Sequence, residues 1–270
     1  MSARGRSRGR SRGRSRGRSR LPVLGVVLAA GIAAVAGGAL VLALRPDPVV
    51  PVTLRVHPLL AGEPLALGTS RYPNPGGAGT FTIRDFQFFL SNVRLASDGG
   101  DFREAESYHL ARFDDEDGVF RIELEGVPRR AYDRVEFGIG VDSAANNSIE
   151  ALGDLDPNGR MAWGWEIGYK FVLVEGGLEL ADGLVPLVYH VGFDENYGLR
   201  SVPLDASSFD GESATIDLCA DLLTLFTGVE TVDMGELPSV TFDGDDSRLL
   251  ARNWAGMVTA CPAETRLATR

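Results

Sequence analysis

The chain has 270 residues, 44% of them hydrophobic and 24% charged, which excludes a disordered or collagen-like polymer. Charge is unevenly divided: residues 1–45 hold ten of the 27 basic residues and no acid, leaving 17 bases against 37 acids beyond them, a net of −20. So acidic a body does not seek nucleic acid or an anionic membrane surface, and two cysteines cannot build a four-cysteine zinc site.

Residues 1–20 form an Arg/Ser/Gly tail with arginine at every even position from Arg4 to Arg20. Such a tract buries nothing and is expected to be a disordered cytoplasmic tail. Residues 21–44 carry no charge and are rich in Val, Ala, Leu and Gly. As a helix at ~1.5 Å per residue they would reach about 36 Å, enough to cross a bilayer. Arginines on one side only place the tail in the cytoplasm and the remainder outside. The expectation is a single N-terminal transmembrane signal anchor in a single-pass membrane protein. A cleaved secretory signal is the alternative, although no clean small-x-small site stands before Arg45. Residues 45–51, with Pro46 and Pro48, break the helix and form a linker.

The folded body is expected over 52–262, with a short tail at 263–270. Short apolar runs between turn signals predict a mostly β domain. Val52–His57 alternates. Phe81–Ile83 and Phe86–Leu95 read as two further strands. Phe120, Ile122 and Leu124 alternate with polar residues, as do Val135, Phe137, Ile139 and Val141 with Glu or Gly. Met161–Val174 is the longest run, followed by Val185–Val191 and the alternating Ala214–Leu218. Asp221–Phe226 and Ser247–Val258 show helical spacing with Asp or Ser in capping position. The expected architecture is an antiparallel β-sandwich with one or two short C-terminal helices. Outside the cytoplasm Cys219 and Cys261 are expected to pair as a disulfide, a two-thiolate metal site being the alternative.

The loops are acidic. Residues 154–159 read D-L-D-P-N-G, the first half of a calcium loop, with Asp154, Asp156 and Asn158 as candidate oxygen ligands. The twelfth position, where a bidentate glutamate belongs, is Trp165, and Glu166 comes one step late. An EF-hand is therefore not expected. Solvated turns are the simpler reading, and a calcium-stabilised loop is the alternative.

Met161–Phe171, MAWGWEIGYKF, is the most unusual segment. As one strand it puts Met161, Trp163, Trp165, Ile167, Tyr169 and Phe171 on one face and small residues on the other. That pattern fits core packing, and equally a ring-lined site around Trp163 and Trp165. The block belongs to an ordered series: His57 before Gly62-Glu63-Pro64-Leu65, then Ser91-Asn92-Val93-Arg94-Leu95, Tyr108-His109-Leu110, Phe137–Asp142, the double-tryptophan block with Glu175-Gly176 behind it, and His190-Val191-Gly192. In this order the motifs resemble the MbnP-like family of periplasmic copper-binding proteins.

The resemblance implies copper binding outside the cytoplasm. It also implies that one tryptophan is oxidised to kynurenine by a di-haem partner enzyme of the MauG type, and that kynurenine and histidines then hold copper. Imidazole suits copper, and opening the indole supplies an aryl amine and a carbonyl as further donors. The candidate metal ligands are His57, His190 and, more weakly, His109; the candidates for modification are Trp163 and Trp165. If the ends of their two strands meet, His57 and His190 converge. The bland readings are a strand-terminal His57, a satisfied half-buried His190 and core tryptophans. No nucleophile frame or paired carboxylates point to an enzyme. The competing functions are a non-metal ligand-binding or adhesion module and a calcium-stabilised surface domain.

Overall fold

Alternation in the first apolar run becomes a long strand, β1 (Val49–Leu60), burying Val50, Val52, Leu54 and Val56 while Thr53 and Arg55 are half-buried. The computed structural model describes residues 48–262 except 114–116, 151, 165 and 210. The basic tail, the apolar run 21–44, Trp165 and residues 263–270 lie outside the described residues. Among the described residues no helix is long and apolar enough to cross a membrane.

Along the chain follow β2 (Glu63–Pro64), β3 (Tyr72–Pro73), β4 (Thr80–Ala96), β5 (Phe102–Arg103), β6 (Tyr108–Arg112), β7 (Phe120–Pro128), β8 (Arg134–Ile139) and a short helix α1 (Ser143–Asn146). Then come β9 (Ala162–Gly164), β10 (Gly168–Leu180), β11 (Gly183–Gly192), β12 (Gly198–Pro203), β13 (Ala214–Asp221), α2 (Thr224–Thr227), β14 (Ser239–Val240), α3 (Gly244–Asn253) and β15 (Val258–Ala260).

The strands form two sheets. The smaller runs β15-β13-β1-β2, with β7 also on β1; the larger runs β12-β8-β4-β10-β11-β14, with β3, β5 and β6 also on β4 and β9 on β10. The expected mostly β, sandwich-like architecture is present, but it is not purely antiparallel: β1 pairs with β13, and β11 with β14, in parallel. The reason is connectivity. Parallel neighbours need a long crossover, and most of the larger sheet lies in sequence between β1 and β13.

Two expected strand boundaries change for local reasons. Phe81–Ile83 and Phe86–Leu95 are one strand, because a bulge absorbs Arg84: the β10 register steps from Asp85 to Ile83. Phe81, Ile83, Phe86 and Phe88 are thereby all buried in the core. Met161–Val174 is not one strand but a hairpin. Gly164 and Gly168 take positive φ (134° and 91°), the Ile167 N–H donates to Gly164 O, and β9 folds back antiparallel on β10. Ile167, expected beside Tyr169 and Phe171, is 42% exposed at the turn.

Between the sheets, Leu54 and Val56 share one apolar cluster with Phe88, Phe137, Phe171 and Val174. Phe226, just inside α2, touches Phe81 and Tyr189 at ring-centroid distances of 6.3 and 5.0 Å. Each such fully buried ring contributes about 1.5–3 kcal/mol. Helix α3 is capped four residues before the expected Ser247, by Asp243, which accepts from the Asp245 and Asp246 N–H groups. Helix α1, unforeseen in the sequence, is capped by Asp142, which accepts from the Ala144 and Ala145 N–H groups. Cys219 on β13 and Cys261 just after β15 are disulfide-bonded, with Cα atoms 4.9 Å apart.

Candidate metal centre

Strand parity decides where the histidines point. Val50, Val52, Leu54 and Val56 face the core from β1, so His57 faces away from it with Thr53 and Arg55. His57 Nε2 lies 2.8 Å from Asp217 Oδ1, and Arg55 grips the same carboxylate through Nε and Nη2 at 2.7 and 2.9 Å. The β1–β13 register sets Arg55 opposite Asp217 and His57 opposite Cys219. Burial would raise the Asp217 pKa, but hydrogen bonds from Arg55 and His57 outweigh it and hold the carboxyl below its ordinary value. His57 is only 3% exposed. Leu59, Cys219 and Cys261 form a small apolar cluster of their own beside it. This is a closed, paired assembly.

His109 on β6 is similarly engaged. Its Nε2 lies 2.7 Å from Glu104 Oε2, which also accepts from the Ser107 hydroxyl at 2.5 Å.

His190 lies on the larger sheet. Leu187, Tyr189 and Val191 of β11 face the core, so His190 faces outward. The expected convergence of His57 and His190 is not what the fold produces: each faces away from the shared core, from a different sheet, and each meets its own carboxylate. Among the described residues no group of three His, Cys, Asp or Glu side chains is placed to hold a metal ion.

The surroundings of His190 are nonetheless distinctive. Its Nε2 lies 2.9 Å from Glu175 Oε1 on the adjoining β10. Arg160 pairs with the other oxygen of Glu175 at 2.8 Å and also with Asp85, whose Oδ1 accepts from Gln87 at 2.9 Å. Lys170, 8% exposed, donates through Nζ to the Arg160 carbonyl. Burial lowers the His190 pKa, the Glu175 hydrogen bond partly opposes that, and the Lys170 and Arg160 charges lower it further. Burial would raise Glu175, yet the His190 hydrogen bond and the Arg160 charge leave it below the usual glutamate value. A neutral imidazole beside an ionised carboxylate carries its proton on Nε2, leaving the Nδ1 lone pair for another partner.

Trp163 stands on the same face. A Cβ added at Gly192, two residues beyond His190, would fall 2.7 Å from Trp163 Cζ3. The half-buried indole thus packs on the strand position next to His190. Its ring also lies 5.3 Å from Phe193 and 5.2 Å from Phe242 between centroids, and Phe242 is 60% exposed. Phe193 adopts φ 72°, which for a bulky side chain costs about 1–2 kcal/mol. Polar contacts hold this turn: Asn196 Nδ2 donates to Gly192 O at 2.7 Å, and Asp194 accepts from Asn146 and Asn147 at 2.6 and 2.8 Å. Sequence reasoning missed Phe193, Phe242, Arg160 and Asp85, which join no local pattern. Glu175 carried the one available signal, its place directly behind the double-tryptophan block.

In the acidic loop, Asp154 Oδ2 accepts from the Leu110 N–H at 2.8 Å, and Asp156 Oδ1 accepts from the Asn158 N–H at 2.9 Å. Asp156 thus caps its own turn, and Asp154 ties the loop to β6. Asp154 and Asp156 line a cavity of about 330 Å³, but Arg112 and Arg160 line it too, and cationic walls do not suit calcium.

Fold and site together define a class: a disulfide-tied, two-sheet β domain carrying a histidine–carboxylate pair beside a tryptophan on the outer face of one sheet. The family model MbnP matches residues 49–242, and the chain belongs to the MbnP family. A solved structure, MbnP from Methylosinus trichosporium, aligns at 17% identity over 67% of this chain and 78% of that one, with a TM-score of 0.45. No curated protein matches the chain.

Proposed function

We propose that the domain is a copper-binding protein working outside the cytoplasm, in metal storage, delivery or sensing, and is not itself an enzyme. Family membership suggests a methanobactin-associated, copper-related periplasmic role. The observation that carries the residue assignment is the packing of Trp163 on Gly192, two positions from His190 and on the same face. His190 would supply Nδ1, and Glu175 would orient the ring, as carboxylates do behind metal-bound histidines. One imidazole is a thin donor set. The fit becomes good once the Trp163 indole is opened to kynurenine, whose amine and carbonyl add donors beside His190. That oxidation requires an outside oxidant, in this reading peroxide handled by a di-haem partner enzyme of the MauG type. His57, only 3% exposed and sharing its carboxylate with the Arg55 fork, is assigned a structural role, as is His109 on the short strand β6.

The apolar run 21–44 supports attachment to the membrane by an N-terminal helix, with the tail inside and the domain outside. The disulfide suits an oxidising compartment. A second reading draws on the partly exposed stack of Trp163, Phe193 and Phe242: a ring platform for a planar organic ligand, without metal.

Purification of the full chain from its native host, with metal analysis and intact mass, tests the proposal. Copper is expected, with a net gain of one oxygen and loss of one carbon at Trp163. An unmodified, copper-free protein that takes up no added copper would overturn it.

A further inference from the structure

A second concavity, of about 460 Å³, opens where edge strand β12 meets helix α3, and it shares no lining residue with the His190 cluster. Three arginines line it: Arg200 from β12, and Arg248 and Arg252 from α3. In a body so rich in acid, three guanidinium groups around one cavity stand out. Their pairing differs. Arg248 meets Asp245 and Glu195, and Arg252 meets Glu230 at 2.7 Å. Arg200 meets no carboxylate among the described residues. Its Nη1 donates to Leu199 O at 2.9 Å, and its Nε is buried with no hydrogen-bond partner. Burial alone lowers its pKa, which agrees with the lack of a neighbouring anion.

A buried guanidinium N–H without an acceptor costs about 1–3 kcal/mol or more, so an acceptor is what this site lacks. Gly198 makes room for the group: an added Cβ there would lie 2.8 Å from Arg200 Nη2. Val229, Ala251 and Ala255 give the wall an apolar part, Glu195, Asn196 and Tyr197 line it as well, Glu195 already facing Arg248, and the volume suits a small ligand.

We infer that this cavity binds a small organic monocarboxylate, its carboxylate held by the Arg200 fork and its apolar body against Val229, Ala251 and Ala255. One unpaired cation calls for one negative charge, since Arg248 and Arg252 are already matched by their own acids. The planar fork accepts a carboxylate through two parallel hydrogen bonds. Inorganic phosphate has no apolar part to lie against that wall. The inference is independent of copper.

The test is calorimetric titration of the full-length protein with benzoate, hexanoate and inorganic phosphate, each to about 10 mM. Saturable binding of either carboxylate is expected, without phosphate binding of comparable strength. Arg200→Gln should weaken it by about tenfold or more. Gly198→Ala, which displaces the fork and keeps its charge, should weaken it too. Should Arg200→Gln fail to fold, phenylglyoxal modification of the unaltered protein, read by peptide mass spectrometry, serves instead: benzoate should slow modification of Arg200 about fivefold. No binding by either carboxylate, preference for phosphate, undiminished binding by a folded Arg200→Gln protein, or an Arg200 that benzoate does not protect would overturn the assignment.

Discussion

Trp163 rests on Gly192 so closely that the glycine cannot gain a side chain without moving the indole. An added Cβ would lie 2.7 Å from Trp163 Cζ3 and 2.5 Å from the Tyr169 carbonyl oxygen. The second clash is with backbone, which does not yield as a flexible side chain does. Gly192→Ala is therefore expected to destabilise the domain by about 1–3 kcal/mol and to shift tryptophan fluorescence. Chemical denaturation with fluorescence detection checks both; an unchanged midpoint would mean that the contact is not tight.

Glu175 joins His190 to Arg160. Glu175→Gln keeps the shape but removes the charge that fixes the His190 tautomer. Copper affinity, measured by competition with a chelator, should fall about 10–100-fold, the usual loss when the carboxylate behind a metal-bound histidine is changed. Arg160 retains Asp85, so the folded state should persist in circular dichroism.

His57 offers the contrast. His57→Gln removes a buried ring from the Arg55–Asp217 pair and should cost about 1–3 kcal/mol of stability while copper uptake stays intact. His190→Gln should do the reverse, with a small stability change and lost uptake. Equal loss of copper in both proteins would return His57 to the metal site.

The disulfide closes a stretch of 42 residues by sequence separation. On a chain-entropy account its removal costs about 4 kcal/mol. The Cys219→Ser/Cys261→Ser double variant should unfold at markedly lower denaturant than the parent, and the parent under reductant should match it.

Acid should weaken the fold through Asp142. This N-cap of α1 also accepts from the Tyr108 hydroxyl at 2.6 Å and from Asn92 at 2.9 Å. Burial would raise its pKa, but these hydrogen bonds prevail and the folded value lies below the ordinary 3.8. A group with a depressed folded pKa stabilises fully above its unfolded pKa and loses that contribution as pH falls through the folded one. Stability should thus decline below pH 3.8. Asp142→Asn should be less stable at neutral pH and show a shallower acid decline, as denaturant midpoints measured across pH would reveal.

Much of the β character was legible because alternation is a local property. Val50 to Val56 bury every second side chain in β1 whatever the partner strand is, and spacing also pointed to helices near Phe226 and Leu250. The hairpin at Gly164 and Gly168 was hidden, since an apolar run reads alike whether it continues or folds back; two glycines at positive φ decide it. The parallel β1–β13 pairing was also hidden, because it joins residues more than 150 apart in sequence and no local pattern records it.

The amino-acid order by itself determined the mostly β class, the resemblance to its family and the choice of cysteines for the single bridge, all of which rest on composition, periodicity and motif order. Only the tertiary structure decided which imidazole stands beside an indole. His57 and His190 sit at similar places on their strands, but their two sheets turn them away from a common core. Trp163 reaches the His190 face because the chain reverses just beyond it. Such proximity comes from sheet pairing and strand parity across the whole domain, and no stretch of neighbouring residues encodes it.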